Sequence, residues 1–254
     1  APPTHWFRWC TSKMRIHPMT KFLRSRIAEF GEVVMVLGLR RAESQARKEI
    51  LAKYSSPEKF VGQYSSCSSV VAFTPIEDFR TEDVWQFLMQ SRCPWADGNR
   101  NLATLYSLAN AGECPSYTVG ESMAPSCGGS RFGCWTCTVV RKDKAGMGLS
   151  QENEAYEKLL EFRNWLAAIR YEKCRRWKTR RNGAPGPGPL RLSTRREILE
   201  RLLDLQNDTG LPLLQSEELV EIQRLWTLDG DQHASAISMG FRKGFSFSSA
   251  RWTS

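Results

Sequence analysis

The 254-residue sequence predicts an α/β part followed by a helical part. Two observations carry this. Up to Lys144, short runs of consecutive apolar residues alternate with segments of helical periodicity, whereas after Ser150 only the helical period recurs. A chain of this length with 41% apolar residues has enough material for one substantial core and a helical extension. The parts are assigned to residues 1–148 and 149–254.

Taking the elements in order, "HPMTKFLRSRIAEFG" reads as a helix. Pro18 suits its first turn, Phe22, Leu23, Ile27 and Phe30 recur at helical spacing, and Gly31 terminates it. "EVVMVLGL" reads as a strand buried on both faces, of the kind found in parallel sheets. "RRAESQARKEILAKY" is helical in propensity, and "SSVVAFTPI" is the next strand, stopped by Pro75. "RTEDVWQFLMQSR" reads as a helix begun by Thr81, with Val84, Trp85 and Leu88 on one face. From Asn110 to Phe132 the composition is that of a long loop, and such loops in compact domains usually serve a function.

In the second part, "QENEAYEKLLEFRNWLAAIRYEKCRRW" reads as one long amphipathic helix carrying Tyr156, Leu159, Leu160, Trp165, Leu166 and Ile169. "NGAPGPGP" breaks regular structure. "STRREILERLLDLQN" restarts it, with Thr194 and Glu197 spaced as a capping box, and a further helix begins near Ser216.

Composition excludes some classes. The longest apolar runs fall far short of the ~18 residues a bilayer span needs, and no secretory pattern opens the chain, so a cytoplasmic protein without membrane partners is expected. Eight cysteines are too few for a disulfide scaffold, and they cluster unevenly, as metal or redox cysteines do. The net charge of +9 is localised. Arg170 to Arg196 holds ten Lys and Arg against Glu172 alone, which leaves the remainder neutral. A basic stretch of this density suits an anionic polymer, because each neutralised phosphate releases counterions; a solvated helix face with a linker would look the same.

Two constellations carry chemistry. "SCGGSRFGCWTCTVVRKDK" places Cys127, Cys134 and Cys137 within eleven residues and runs into Lys142 and Lys144. The C-x-x-C of Cys134 and Cys137 lets two thiolates face one ion or cluster, and is shared by zinc, redox and iron-sulfur sites. Cys10, followed by Lys13 and Arg15, and Cys114 complete the candidates; spacing does not choose four ligands among the five. The second constellation, "GLRRAESQAR", follows the first strand. Gly38, Arg40, Glu43, Ser44 and Arg47 fall where α/β sheets bind ligands, and guanidiniums with helix N–H groups suit phosphate; an ordinary helix start with salt-bridging arginines would look the same.

The order "WCTSKMRIHP", "GLRRAESQAR", "TPIEDFRTEDVWQFL", "GCWTC" resembles the phosphoadenosine-phosphosulfate reductase family of adenine-nucleotide α-hydrolase-like proteins. The cysteine loop from Gly112 to Lys144 is similar to that of the DndC-like sulfurtransferases of bacterial DNA phosphorothioation. The resemblance implies a doubly wound parallel sheet, ATP cleaved to AMP and pyrophosphate, and a 4Fe-4S cluster. It puts Gly38, Arg40, Glu43, Ser44 and Arg47 on the nucleotide-contacting turn and Cys10, Cys134 and Cys137 on cluster-binding motifs. Cys127 is taken as the fourth ligand, and the cluster, or a persulfide on Cys114, would deliver sulfur taken from a cysteine desulfurase. DNA and other phosphorothioation subunits are the implied partners, and Lys142, Lys144, Arg175, Arg176, Arg180 and Arg181 are the expected DNA contacts.

The sequence departs from the family in two places. The Gly-rich pyrophosphate loop S-G-G-x-D-S has no counterpart, so the chain is expected to correspond to the carboxyl-terminal portion of such an enzyme. No cysteine follows Cys174, so the tail thiol of assimilatory sulfonucleotide reductases is missing. Two alternatives stand beside the sulfurtransferase reading: a sulfonucleotide reductase, and a non-catalytic, metal-stabilised DNA-binding subunit.

Overall fold

A computed structural model describes residues 2–54, 61–63, 69–94, 98–109 and 133–245. The chain forms two compact units, one of residues 6–132 and one joining residues 1–5 to 133–254, so residues 133–148 group with the helical part.

In the first unit, a π-helical segment, Thr11–Ile16, continues into α1, His17–Phe30. Pro18 lies in the first turn of α1, and Gly31 ends it at φ +80°, where its N–H donates to the Ile27 carbonyl. Strand β1, Val33–Val36, pairs in parallel with β3, Val70–Phe73, from Val33 opposite Val70 to Val36 opposite Phe73. Between them run a 3-10 turn, Arg41–Glu43, helix α2, Gln45–Tyr54, and the short β2, Val61–Gln63. The three strands stand in the order β1-β3-β2, with β2 antiparallel to β3. The described sheet is therefore a small mixed one built on a parallel pair, and a doubly wound sheet is not among the described residues.

The expectation that β1 is buried on both faces is corrected. Val34 and Val36 are 65% and 64% exposed while Val33 and Met35 are half-buried, the alternation of a strand covered on one face. Apolar content reports what a strand prefers to bury, and says nothing of whether a neighbour covers it. α1 shows the same: Leu23 is buried, but Phe22 and Phe30 are exposed. Helix α3, Thr81–Gln90, begins at Thr81 as expected, with Arg80 at the cap, where its N–H donates to Asp83 Oδ2 at 2.7 Å. α4, Arg100–Ala109, follows, and Trp85 meets Tyr106 edge to face at 5.3 Å.

The second unit is helical: α5, Lys144–Ser150; α6, Glu154–Ile169; α7, Leu192–Thr209; α8, Ser216–Leu228; and α9, Ser235–Arg242. Its core has two clusters. Leu159, Phe162, Leu166 and Ile169 of α6 pack on Leu205 of α7. Leu199 and Leu203 of α7 pack with Leu219 and Trp226 of α8 and Ala236 and Met239 of α9.

Three expectations are corrected here. The long helix stops at Ile169 and gives way to a 3-10 turn, Lys173–Arg175. "NGAPGPGP" is the turn and return strand of a two-stranded ribbon, with bridges at Arg176–Leu190 and Thr179–Pro185. Thr194 and Glu197 form no capping box, because the Thr194 hydroxyl donates to the Arg175 carbonyl and Glu197 pairs with Arg175 and Arg201. The box is instead at α8, where Gln215 and Glu218 cap each other. Among the described residues, no helix is long and apolar enough to cross a membrane.

Candidate functional site

The cysteine turn belongs to the helical unit, and its geometry starts from a single hydrogen bond. The Cys137 N–H donates to the Cys134 carbonyl at 2.8 Å, closing a tight turn with Cys134 exposed and Cys137 half-buried. Trp135, between them, packs on Phe162 of α6 at 5.7 Å between ring centroids, anchoring the turn to the core.

Behind the turn lies Arg163 of α6, only 1% exposed. Its Nε donates to the Cys137 carbonyl at 2.9 Å, and its other nitrogens donate to the carbonyls of Val140 and Arg141 and to Asn164 Oδ1 at 3.0 Å. Among the described residues this guanidinium has no carboxylate partner. Buried charges are normally paired; among the described residues this one meets only carbonyl and amide oxygens, which puts a positive charge behind the turn. A second brace comes from Arg170, which donates to the carbonyls of Thr138 and Pro3, while the buried Thr138 hydroxyl donates to Pro3 at 2.7 Å. The residue following Cys137 is thus tied to the first residue of the basic segment. All five described cysteines are free thiols. Two thiols on one turn, with a buried cation behind, suit a thiolate-bound centre, since ligated thiolates are anionic and need such compensation.

Of the other cysteines expected at the site, Cys114 and Cys127 lie outside the described residues, and Cys10 is half-buried in the first unit at the start of the helical run leading to α1. Among the described residues, no group of three His, Cys, Asp or Glu could hold a metal ion.

In the first unit, the loop after β1 holds the nucleotide candidates. The Leu37 N–H donates to Phe73 at 2.8 Å, so the loop leaves at the carboxyl ends of both parallel strands. Arg41 is drawn inward to Glu77 at 3.0 Å and Asp78 at 3.2 Å; hydrogen bonding to Glu77 raises its pKa. Glu77, itself buried, also accepts from Thr74 at 3.1 Å. Glu43 pairs with Arg40 at 3.6 Å and with Arg47, and Ser44 Oγ accepts from the Arg47 N–H at 3.3 Å, capping α2. Arg40 keeps one nitrogen, Nη1, buried without a partner among the described residues. Among the described residues, a Cβ on Gly38 would meet only Ile76, at 3.9 Å, an ordinary contact.

The basic candidates divide. Arg175 pairs with Glu172 at 2.6 Å and with Glu197, whose hydrogen bonds raise its pKa. Arg176 donates to the Gly188, Pro187 and Arg170 carbonyls, and burial lowers its pKa. Arg180 and Arg181 are exposed, as are Lys142 and Lys144. Composition did not point to Arg163, Arg41 or Glu77, because their partners lie 22 to 37 residues away in sequence.

No curated protein and no solved structure matches the chain. A family model does: the phosphoadenosine phosphosulfate reductase domain matches residues 1–140, from the first helical run through the C-x-x-C turn. That span covers more than half of the chain and includes both the loop after β1 and the cysteine turn, and on this ground the chain belongs to the phosphoadenosine phosphosulfate reductase family of sulfonucleotide-related enzymes.

Proposed function

We propose that this chain is a sulfurtransferase that inserts sulfur into a DNA backbone phosphate. The observation that carries this reading is that one compact unit holds the cysteine turn and the basic segment, and Arg170 joins them through Thr138. A sulfonucleotide reductase has no use for a cationic surface of polymer length beside its cysteines.

In this reading the loop after β1 receives ATP. Arg40, with its unpartnered nitrogen, and Arg47 face the phosphates, and Ser44 and the first N–H groups of α2 complete the cradle with Gly38 and Glu43. A non-bridging oxygen of the DNA phosphate attacks the α-phosphorus of ATP and releases pyrophosphate. The adenylated oxygen has become a leaving group, and AMP departs as a sulfur nucleophile forms the P–S bond. Cys114 is the proposed persulfide carrier, loaded by a cysteine desulfurase; its outer sulfur forms the P–S bond, and a thiol reductant then cleaves the S–S bond, leaving the phosphorothioate on DNA and a mixed disulfide on Cys114. Cys134 and Cys137, with Cys10 and Cys127, would supply thiolates to a 4Fe-4S cluster, and Arg163 holds the backbone of their turn and offsets its charge. Such a cluster, when bound, supplies redox chemistry and sulfur handling.

Anaerobic purification tests this. A broad absorption band near ~400 nm with matching iron and sulfide is expected, whereas a colourless protein with stoichiometric zinc would reject the cluster. Incubation with ATP, cysteine, a desulfurase and DNA, followed by nuclease digestion and mass spectrometry, should yield phosphorothioate dinucleotides. The family match favours a second reading, a sulfonucleotide reductase; sulfite release from phosphoadenosine phosphosulfate, with no sulfur entering DNA, would establish it instead.

A further inference from the structure

The ribbon between α6 and α7 is built in an unusual way. Its outgoing strand is cationic, and its return strand, "APGPGPL", alternates proline and glycine. The Arg180 N–H donates to Ala184, Gly186 to Lys178, Gly188 to Trp177, Trp177 to Pro189 and Arg191 to Arg175, all between 2.8 and 3.0 Å. Pro185 and Pro187 thus occupy positions whose missing N–H would have pointed away from the ladder, Pro189 turns its carbonyl inward to Trp177, and both glycines of the return strand donate across the ladder. The outer edge therefore offers no N–H at residues 185 and 187 and resists pairing with a further strand there. The glycines are required by closeness: a Cβ on Gly188 would lie 2.0 Å from the Thr179 carbonyl oxygen. The return strand is consequently thin, without side chains at two of its positions.

The base of the ribbon is clamped. Arg175 is held by Glu172 and Glu197, Arg176 by carbonyls across the ladder, and Arg191 donates to the Arg176 carbonyl while lying over Trp177 at 5.4 Å. The tip carries the opposite pattern. Lys178, Arg180 and Arg181 are exposed and have no ion pair among the described residues, and no acidic residue occurs from Lys173 to Leu190. Trp177, 54% exposed, stands at the junction.

We infer that this ribbon is a duplex-DNA contact element, with its tip seated in the major groove and Lys178, Arg180 and Arg181 on the flanking phosphates. The inference rests on the DNA reading above and names the element that reading lacked. The proline edge argues against strand addition by a protein partner. A two-stranded ribbon fits a groove about 12 Å wide and 8.5 Å deep, and the strand from Arg175 to Arg180 spans roughly 17 Å, long enough to reach its floor. The internal pairing of Arg175 and Arg176 makes them supports of the ribbon and leaves the phosphates to the tip.

The test is a salt titration of duplex binding by the full chain, comparing wild type with Lys178→Gln/Arg180→Gln/Arg181→Gln. A control of equal charge change is Lys158→Gln/Arg201→Gln/Arg224→Gln, on three helices of the same unit. The tip variant should bind at least tenfold more weakly at about 0.1 M salt, with a salt slope shallower by about two to three; the control should bind like wild type. Circular dichroism confirms folding, and replacing residues 179–185 by Asn-Gly provides a second, charge-shortened ribbon that should lose affinity likewise. Wild-type affinity in the tip variant, or equal loss in the control, overturns the ribbon assignment and leaves the DNA reading standing. Loss confined to single-stranded RNA also overturns it. Absence of DNA binding by the wild type overturns both.

Discussion

At the residue scale, Arg163 shows how a charge that meets no carboxylate among the described residues can hold a site together. A buried guanidinium donating to carbonyls contributes through charge-assisted hydrogen bonds, so Arg163→Met is expected to destabilise the protein by about 3 kcal/mol and to speed alkylation of the half-buried Cys137. Arg163→Lys should lie between, because an ammonium is a single point donor where the guanidinium reaches several carbonyls. Urea unfolding and thiol-alkylation rates measure the two effects. Asp231 is the opposite case, a buried carboxylate that is fully paired. Burial opposes its ionisation, but hydrogen bonds from Ser235, Gln223 and Arg196 outweigh that and hold its carboxyl well below the usual range. A depressed folded-state pKa stabilises the fold above the unfolded value of about 4 and loses that contribution as the pH falls toward the folded one. Asp231→Asn should therefore be less stable than wild type at neutral pH, with the gap closing below pH ~4, as urea midpoints across pH 3 to 7 would show.

At the scale of elements, the sequence was readable where local rules act alone. Pro18 and Gly31 bound α1, Pro75 opens the turn that follows β3, and Ser216 opens α8. Reading failed where a distant group won the competition. Thr194 and Glu197 have the spacing of a capping box, yet Arg175 takes both. The proline-glycine run reads as a breaker, and it forms a ladder because each Gly N–H finds a carbonyl on a strand that composition marks only as basic. Gly188→Ala should open this ladder, since its Cβ has no room. Trypsin cleavage at Lys178, Arg180 and Arg181 is expected to accelerate severalfold while helical circular dichroism stays unchanged; an unaltered cleavage rate would mean that the return strand tolerates a wider ribbon.

For the molecule as a whole, two properties follow from residue order and are visible without coordinates. The excess charge sits between Arg170 and Arg196 and nowhere else, and "GCWTC" with the loop after the first strand carries the family relationship that the match over residues 1–140 shows. Charge is a sum over positions, and a C-x-x-C or a strand-to-helix loop is local in the chain, so both can be read along it. Folding alone allotted those charges their parts. Arg163 went beneath the cysteines, Arg170 between them and the basic segment, Arg175 and Arg176 into the base of a ribbon, and Arg180 and Arg181 to its exposed tip. The reason is physical: a guanidinium's role depends on which carbonyl, carboxylate or solvent it meets, and for these arginines most of those partners are brought near by packing across a dozen residues or more.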